Sequence, residues 1–372
     1  MSRTLKHRWS LSNNGLTGIP ADRWWKLLKE NQFAVDPVYV HRVALITALS
    51  VVNWAYRKRE ERVYGAALEK TNVTEAPVFV LGHYRSGTTH LHNLLAADPQ
   101  LAYPNTYQVA HPYSFLYSEA IHAKILAPLL SKKRPMDNMA LSLQTPQEEE
   151  YALSMASFCS PFLTYSFPRR YDWYMRYLTF NDASAEEIKR WQAALIWFAK
   201  KLTLKYKRRL VLKSPAHTAR IKLILEVFPD ARFVHIYRDP FTVYQSMRHL
   251  YGIIPWYMYL QRPDIGYTDE RIIEQYTAMH DNYFRDKDAI PSGRLCEVRF
   301  EDLERDPVKE MALIYEKLNL SGFEAFEPKL QRYLDFIASY KRNAFPDIPA
   351  PLRKRLAQEW RRSFEAWEYP EK

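Results

Sequence analysis

Gly82 and Gly87 enclose His83, Tyr84, Arg85 and Ser86, and Thr88 and Thr89 follow directly. This is the spacing of a loop that wraps a phosphate. The glycines permit a tight turn, backbone N–H groups and a helix N-terminus face the anion, and the hydroxyls add donors. In loops that handle a triphosphate, the residue after the second glycine is a lysine that reaches the β- and γ-phosphates. Here that position is Thr88, and the cation sits inside the loop at Arg85. Such a loop holds one phosphate and is poorly equipped for three, so it points away from ATP and toward another phosphate-bearing donor.

Two further groups have the same character. Leu210-Val-Leu-Lys-Ser-Pro-Ala-His-Thr218 ends an apolar run on Lys213 and Ser214, with His217 shortly after. A lysine leaving a buried strand at a turn is either aimed at an anion or a solvated strand-end charge; the segment alone leaves both readings open. In Arg232-Phe-Val-His-Ile-Tyr-Arg-Asp-Pro240 the run ends on Arg238, and Asp239-Pro240 fits a helix cap and first residue. Ser246 follows Arg238 by about two helical turns. An arginine and a helix-borne hydroxyl can clasp an isolated phosphomonoester, the guanidinium acting bidentately. The competing reading makes Asp239 a magnesium ligand of a nucleotidase strand, and the missing lysine at position 88 weakens it.

These residues need strands that end beside one another. Val78–Leu81, 209–212, Arg232–Tyr237 and 294–299 read as strands, with helices expected over 88–97, 218–227, 240–249, 268–290, 307–318, 327–340 and 350–366. Strands separated by helical crossovers predict an α/β fold: a P-loop-like parallel sheet flanked by helices, with ligands at the carboxyl ends of its strands. The expected organisation is an N-terminal helical extension over 1–75, an α/β domain over 76–345 and a C-terminal helical segment over 346–372. In the extension, Asp22 is a cap candidate for a short helix carrying Trp24 and Trp25. Asp36-Pro37 fits a cap and first helical residue. The helix it starts carries an uncharged run from 43 to 56, closed by Arg57-Lys-Arg-Glu-Glu-Arg62. That run is short for a membrane span, which needs about 20 apolar residues. It reads either as a buried core helix or as one lying on a membrane surface, with tryptophans at headgroup level and the basic cluster on anionic lipid.

Composition narrows the function classes. The chain has 372 residues, 47% hydrophobic and 26% charged, enough to bury a core and free of low-complexity tracts. Two cysteines, Cys159 and Cys296, have no metal-ligand spacing, which argues against a disulfide framework or a zinc site and for a reducing compartment. A net charge of +11 calls for an anionic partner, while 9 glycines and 15% aromatics do not describe an RNA-binding tail. The opening Met1–Trp9 segment lacks the apolar core of a secretory signal, so a cytoplasmic location is expected.

Taken together, GHYRSGTTHL, LVLKSPAHTARI, FPDARFVHIYRDPFTVYQSM and VRFEDLERDP resemble the sulfotransferases that use 3′-phosphoadenosine 5′-phosphosulfate (PAPS), over roughly residues 76–320. The match is closest to the branch with arginine in the first loop. The resemblance implies that Arg85, Ser86, Gly87, Thr88 and Thr89 form the 5′-phosphosulfate loop, and that Arg238 and Ser246 bind the 3′-phosphate. It implies a place for Lys213 near the transferring group and a structural role, as a helix cap, for Glu301-Asp302-Leu303. Two departures stand out. The glycine-rich adenine loop of cytosolic members is absent, the nearest basic segment being Tyr340-Lys-Arg-Asn343. Ser214-Pro215 occupies the place where those members carry a basic histidine, with His217 a little later.

The implied reaction is in-line sulfuryl transfer without a metal, because the sulfuryl group carries less charge than a phosphoryl and needs no magnesium clamp. Arg85 and Lys213 would meet the charge growing on the leaving group. An alcohol acceptor also needs a base. Related arginine-loop enzymes carry an acidic helix start, which here is Thr145-Pro-Gln-Glu-Glu-Glu150; Pro146 is expected to begin the helix and Glu149 to be the base, Glu148 and Glu150 being alternatives. Favourable first-turn charges are the plainer reading of the three acids. His217 is the second candidate base and His111 the third, while His83 and His90 are expected to pack against the loop. Aromatics crowd 103–117, 158–177 and 251–267 and read as core or as walls of an acceptor pocket. The expected acceptor is a lipophilic hydroxyl (sterol, phenol or lipid), with a carbohydrate as the alternative and no nucleic-acid partner. Peripheral membrane contact is expected only on the lipid-surface reading of the N-terminal helix. A nucleoside-triphosphate kinase and a non-catalytic membrane-docking protein are the rivals from other classes.

Overall fold

In a computed structural model the chain is described over residues 5–126, 142–338 and 345–371, and it divides into two compact units. The sheet lies wholly in the unit formed by 74–103, 208–250 and 267–372. Its five strands are β1 (Val78–Leu81), β2 (Leu101–Ala102), β3 (Arg209–Lys213), β4 (Arg232–Tyr237) and β5 (Leu295–Arg299). All pairings are parallel, in the order β2-β3-β1-β4-β5. The apolar run Val78–Leu81 is buried on both faces, as a central parallel strand must be. On one face Val78, Val80, Val211, Val234 and Ile236 pack against Leu91 and Leu94 of the Thr88–Ala96 helix and Met311 and Ile314 of the Pro307–Lys317 helix. On the other, Phe79 stacks on Phe233 and the β4 ring of His235 lies flat on Tyr283 at 3.8 Å. The C-terminal residues close this face, Trp367 stacking on Tyr237 and Trp360 on Tyr276.

The central strand sets where chemistry is possible. With β1 between β3 and β4, the chain leaves three neighbouring strands at Gly82, Ser214 and Arg238, at one edge of the sheet. The four strands read from the sequence agree with β1, β3, β4 and β5 to within a residue, while the two-residue edge strand β2 was not expected. The Pro240–Tyr251 helix starts as expected, its cap being Asp239, whose Oδ1 accepts from the N–H groups of Phe241 (2.7 Å) and Thr242 (3.1 Å).

The other unit comprises 1–73, 104–207 and 251–266, and in its described residues it is helical. Its long helix is Val40–Lys70. Pro37 opens a 3-10 turn before it, but Asp36 does not cap that turn; its carboxylate accepts from Arg262 N–H and pairs with Arg169. Asp22 sits inside the first turn of the Ala21–Glu30 helix, which Pro20 precedes, and its carboxylate pairs with Arg57 at 2.8 Å. Arg42 is buried and donates to four backbone carbonyls, those of His7, Ser10, Trp256 and Tyr259, binding the N-terminal segment and the 256–259 turn to the long helix. Burial lowers its pKa without threatening its charge.

Candidate active site

The loop after β1 is held by its own backbone. Ser86 N–H (3.1 Å) and Ser86 Oγ (2.7 Å) both donate to the His83 carbonyl, so this buried serine closes the turn with side chain and main chain alike. Gly82 N–H donates to Thr218 Oγ1 at 2.8 Å, fastening the loop's entry to the turn after β3. Arg85 adopts φ +70°, left-handed for a side-chain-bearing residue, a conformation that costs about 1 kcal/mol or more. Gly87 is at φ +103°, and a Cβ there would overlap the ring of Phe300. Only glycine fits both the angle and the space. Thr88 is the first residue of the following helix and is buried.

Three of the expected groups converge. Arg85 Nε donates to Ser246 Oγ at 2.8 Å, and Arg238 Nη1 donates to the Arg85 carbonyl at 3.3 Å. The Arg238 guanidinium lies over the Phe300 ring at 4.1 Å, a cation–π contact that fixes its height above the loop. Lys213, the buried last residue of β3, brings Nζ to 3.5 Å from Thr89 Oγ1. Three cationic side chains, Arg85, Lys213 and Arg238, and the hydroxyls of Thr89 and Ser246 thus meet around the N-terminus of the Thr88–Ala96 helix, an arrangement chemically suited to a doubly phosphorylated anion.

The remaining candidates are placed differently. His217 lies in the buried 3-10 turn Pro215–Ala219, its ring edge-on to Phe79 of β1. His83 Nδ1–H donates to the Tyr84 carbonyl, the ring packs beside Tyr276, and burial pushes its pKa down to about 4. His111 is likewise pushed down to about 4 by burial and lies against Tyr107, inside the other unit. The acidic segment departs from expectation. Pro146 does not start a helix: it forms a bridge with Asn105, and Gln147 N–H donates to the Pro104 carbonyl, which keeps the chain extended. The helix is Glu150–Ser157, so Glu148 and Glu149 precede it rather than filling its first turn. Glu149 is the buried cap-position residue without a side-chain cap bond, and Glu150 accepts from Ser160 Oγ at 2.7 Å. Tyr340–Asn343 lies outside the described residues.

Two residues escaped the sequence reading. Phe300, the platform under Arg238 and against Gly87, sat unnoticed at the head of Phe-Glu-Asp-Leu; only its place directly after a strand could have marked it. Glu301 does not cap its helix, whose cap position is Arg299. It accepts from Asp239 N–H (3.3 Å) and Tyr369 OH (2.6 Å), linking the end of β5 to the end of β4. Thr218 had no signal at all beyond being a hydroxyl residue after a turn. Of the aromatic stretches, Tyr107, Phe115, Phe158, Phe167, Tyr174 and Tyr177 are core. Among the described residues no three His, Cys, Asp or Glu side chains gather as a metal-binding group.

The model of a family described as "Sulfotransferase family" matches residues 77–325, a span that contains every loop and strand end just described. The chain belongs to the sulfotransferase family. Omega-hydroxy-beta-dihydromenaquinone-9 sulfotransferase Stf3 from Mycobacterium bovis and its Mycobacterium tuberculosis counterpart are each 36% identical to it over 328 residues, covering 88% of this chain and 84% of theirs. Two crystal structures share the fold of this sulfotransferase. STF9 from Mycobacterium avium has a TM-score of 0.64 at 20% identity, covering 94% of this chain and 93% of its own. STF1 from M. tuberculosis has a TM-score of 0.63 at 17% identity, covering 92% and 93%. The enzyme is therefore a sulfotransferase of α/β fold with a five-stranded parallel sheet. The kinase and the non-catalytic docking protein fall with that assignment.

Proposed function

We propose that this sulfotransferase uses PAPS through an arginine-type 5′-phosphosulfate loop and sulfates a lipophilic alcohol. The observation that carries the reading of the donor is the hydrogen-bonded chain from Arg238 through the Arg85 backbone and side chain to Ser246. An ATP site has no use for a second arginine–hydroxyl pair beside the loop; a donor with a separate 3′-phosphate does. When bound, the donor supplies the sulfuryl group, whose bond to the 5′-phosphate oxygen breaks as the bond from sulfur to the acceptor oxygen forms. Arg238 and Ser246 hold the 3′-phosphate. Arg85 and Lys213 stabilise the negative charge that collects on the departing phosphate oxygen. Ser86 and Gly87 keep the loop in shape, while Thr88 and Thr89 open the helix whose N-terminus faces the anion. Glu149 takes the acceptor's proton; His217, packed on Phe79, is the weaker candidate.

Support for the acceptor comes from the Stf3 relatives, named for a hydroxylated menaquinone, a lipid-soluble alcohol. The test is transfer of labelled sulfate from PAPS to a panel of sterols, phenols, hydroxylated quinones, lipids and glycans, without added metal. Label extracted into organic solvent with an alcohol acceptor is the expected result. Label on glycans alone overturns the acceptor class, and label on nothing, or only with magnesium, overturns the reading of the reaction.

A further inference from the structure

The Val40–Lys70 helix is built inside out. Its buried residues are Arg42, Ile46, Ser50, Asn53 and Glu60, four of the five polar. Each polar one is satisfied within its own unit. Arg42 binds four carbonyls, Ser50 Oγ donates to Thr47 O at 2.8 Å, and Asn53 Nδ2 donates to Thr17 O at 2.8 Å. Glu60 pairs with Lys201 and accepts from Leu116 and Tyr117 N–H. The exposed stripe is the reverse: Val40, Ala44, Thr47, Ala48, Val51, Val52, Trp54 and Ala55 run for four turns without a charge. Val51 and Val52 are 59% and 49% exposed. A water-facing stripe is ordinarily the polar one, and this one is apolar for roughly 20 Å.

We propose that this face of the enzyme docks on an anionic phospholipid bilayer, lying on it rather than crossing it. The helix is long enough to cross, with an 18-residue window of mean hydropathy 1.3. Crossing would require Arg42, Asn53 and Glu60 to give up the partners that fix them to the unit, at a prohibitive cost in hydrocarbon. The surroundings suit a headgroup layer. The stripe continues past Ala55 into exposed Lys58, Arg59 and Arg62, opposed on that surface by Glu61, which pairs with Lys58 at 2.9 Å. The neighbouring Ala21–Glu30 helix is tied to the stripe by Trp24 Nε1 donating to Thr47 Oγ1 at 2.9 Å. It presents Trp25, 64% exposed, with Lys26 and Lys29. Near the helix start, exposed Trp9 sits 5.3 Å from His41, beside Lys6 and Arg8. An apolar stripe rimmed by exposed tryptophans and unburied cations is the composition that bilayer interfaces retain.

The test is co-sedimentation of the full chain with vesicles of phosphatidylcholine alone or mixed with phosphatidylglycerol, which requires neither donor nor acceptor and so stands or falls apart from the catalytic reading. The wild type should bind the mixed vesicles, more weakly as salt rises, and bind phosphatidylcholine poorly. Val51→Glu with Val52→Glu should lower the affinity by about tenfold or more while leaving the melting temperature unchanged. Val51→Ser with Val52→Ser makes the same comparison should the charged pair disturb folding. Arg59→Gln with Arg62→Gln should weaken only the salt-sensitive part. The proposal is overturned if the wild type ignores both vesicles or if the valine variants bind as well as it does. It is also overturned if the stripe proves to be covered by a second copy, seen as a dimer that those variants split.

Discussion

Arg85 and Arg238 carry the same charge one hydrogen bond apart, yet the proposed reading gives them different work. Arg85 is held in the left-handed region at the centre of the loop and on that reading serves the bond that breaks. Arg238 follows β4, lies over the Phe300 ring and on that reading holds a phosphate that takes no part in the reaction. Arg85→Ala should therefore lower kcat by about 100-fold or more with little change in donor affinity. Arg238→Ala should weaken donor affinity by about 10- to 100-fold with a smaller effect on kcat. Initial-rate kinetics with titrated PAPS, alongside equilibrium binding of adenosine 3′,5′-bisphosphate, separate the two. Equal affinity losses with unchanged turnover in both variants would remove the distinction. At this scale the sequence was legible where residue types recur at a fixed spacing, so that Arg85, Arg238 and Ser246 could be expected to lie together, as they do. Phe300 and Thr218 were not legible, because a platform and a backbone acceptor are defined by what lies across the fold from them.

At the scale of elements, a strand buried on both faces is a mostly apolar run, so β1 and β4 could be read directly from Val78-Phe-Val-Leu81 and from Phe233-Val-His-Ile236, interrupted only by His235. The start of the Glu150–Ser157 helix could not be, because Pro146 is held by a bridge to Asn105, a residue distant in sequence. The polar interior of the Val40–Lys70 helix was equally hidden. Its Glu60 meets Lys201 of the Ala185–Tyr206 helix, fully buried, with Lys201 also reaching the Pro112 carbonyl. Burial lowers the lysine to about 8 and raises the glutamate, and their mutual contact opposes both shifts. Lys201→Met leaves an unpaired buried carboxylate and should cost about 3–5 kcal/mol, read from the urea unfolding midpoint. Adding Glu60→Leu should recover part of that loss but not all, since the Leu116 and Tyr117 N–H groups then lose their acceptor. No loss in the single variant would show that the pair does not hold these helices together.

For the whole molecule, buried histidines tie stability to pH. Burial pushes His83 and His111 down to about 4 and His92 and His235 to about 3, and drives His280 well below its ordinary value. All stay neutral in the folded protein while the unfolded chain protonates them near pH 6.5. The unfolded state therefore binds more protons below that point, and stability falls as the pH drops. Each such histidine contributes a slope of about 1.4 kcal/mol per pH unit between about 6.5 and its folded value. The melting temperature should drop steeply from about pH 6.5 to about pH 4. A flat profile through that window would contradict the buried, neutral state of these rings.

The central claim is that the loop after β1 and the arginine–serine pair after β4 form one site for a donor carrying a 3′-phosphate. The most direct measurement is the thermal shift produced by adenosine 3′,5′-bisphosphate, compared with adenosine 5′-monophosphate and with ATP–Mg²⁺. The bisphosphate should raise the melting temperature clearly, the monophosphate and ATP–Mg²⁺ little, and Arg238→Ala should abolish the difference. Stabilisation by ATP–Mg²⁺ alone, or by the mono- and bisphosphate equally, would contradict the account.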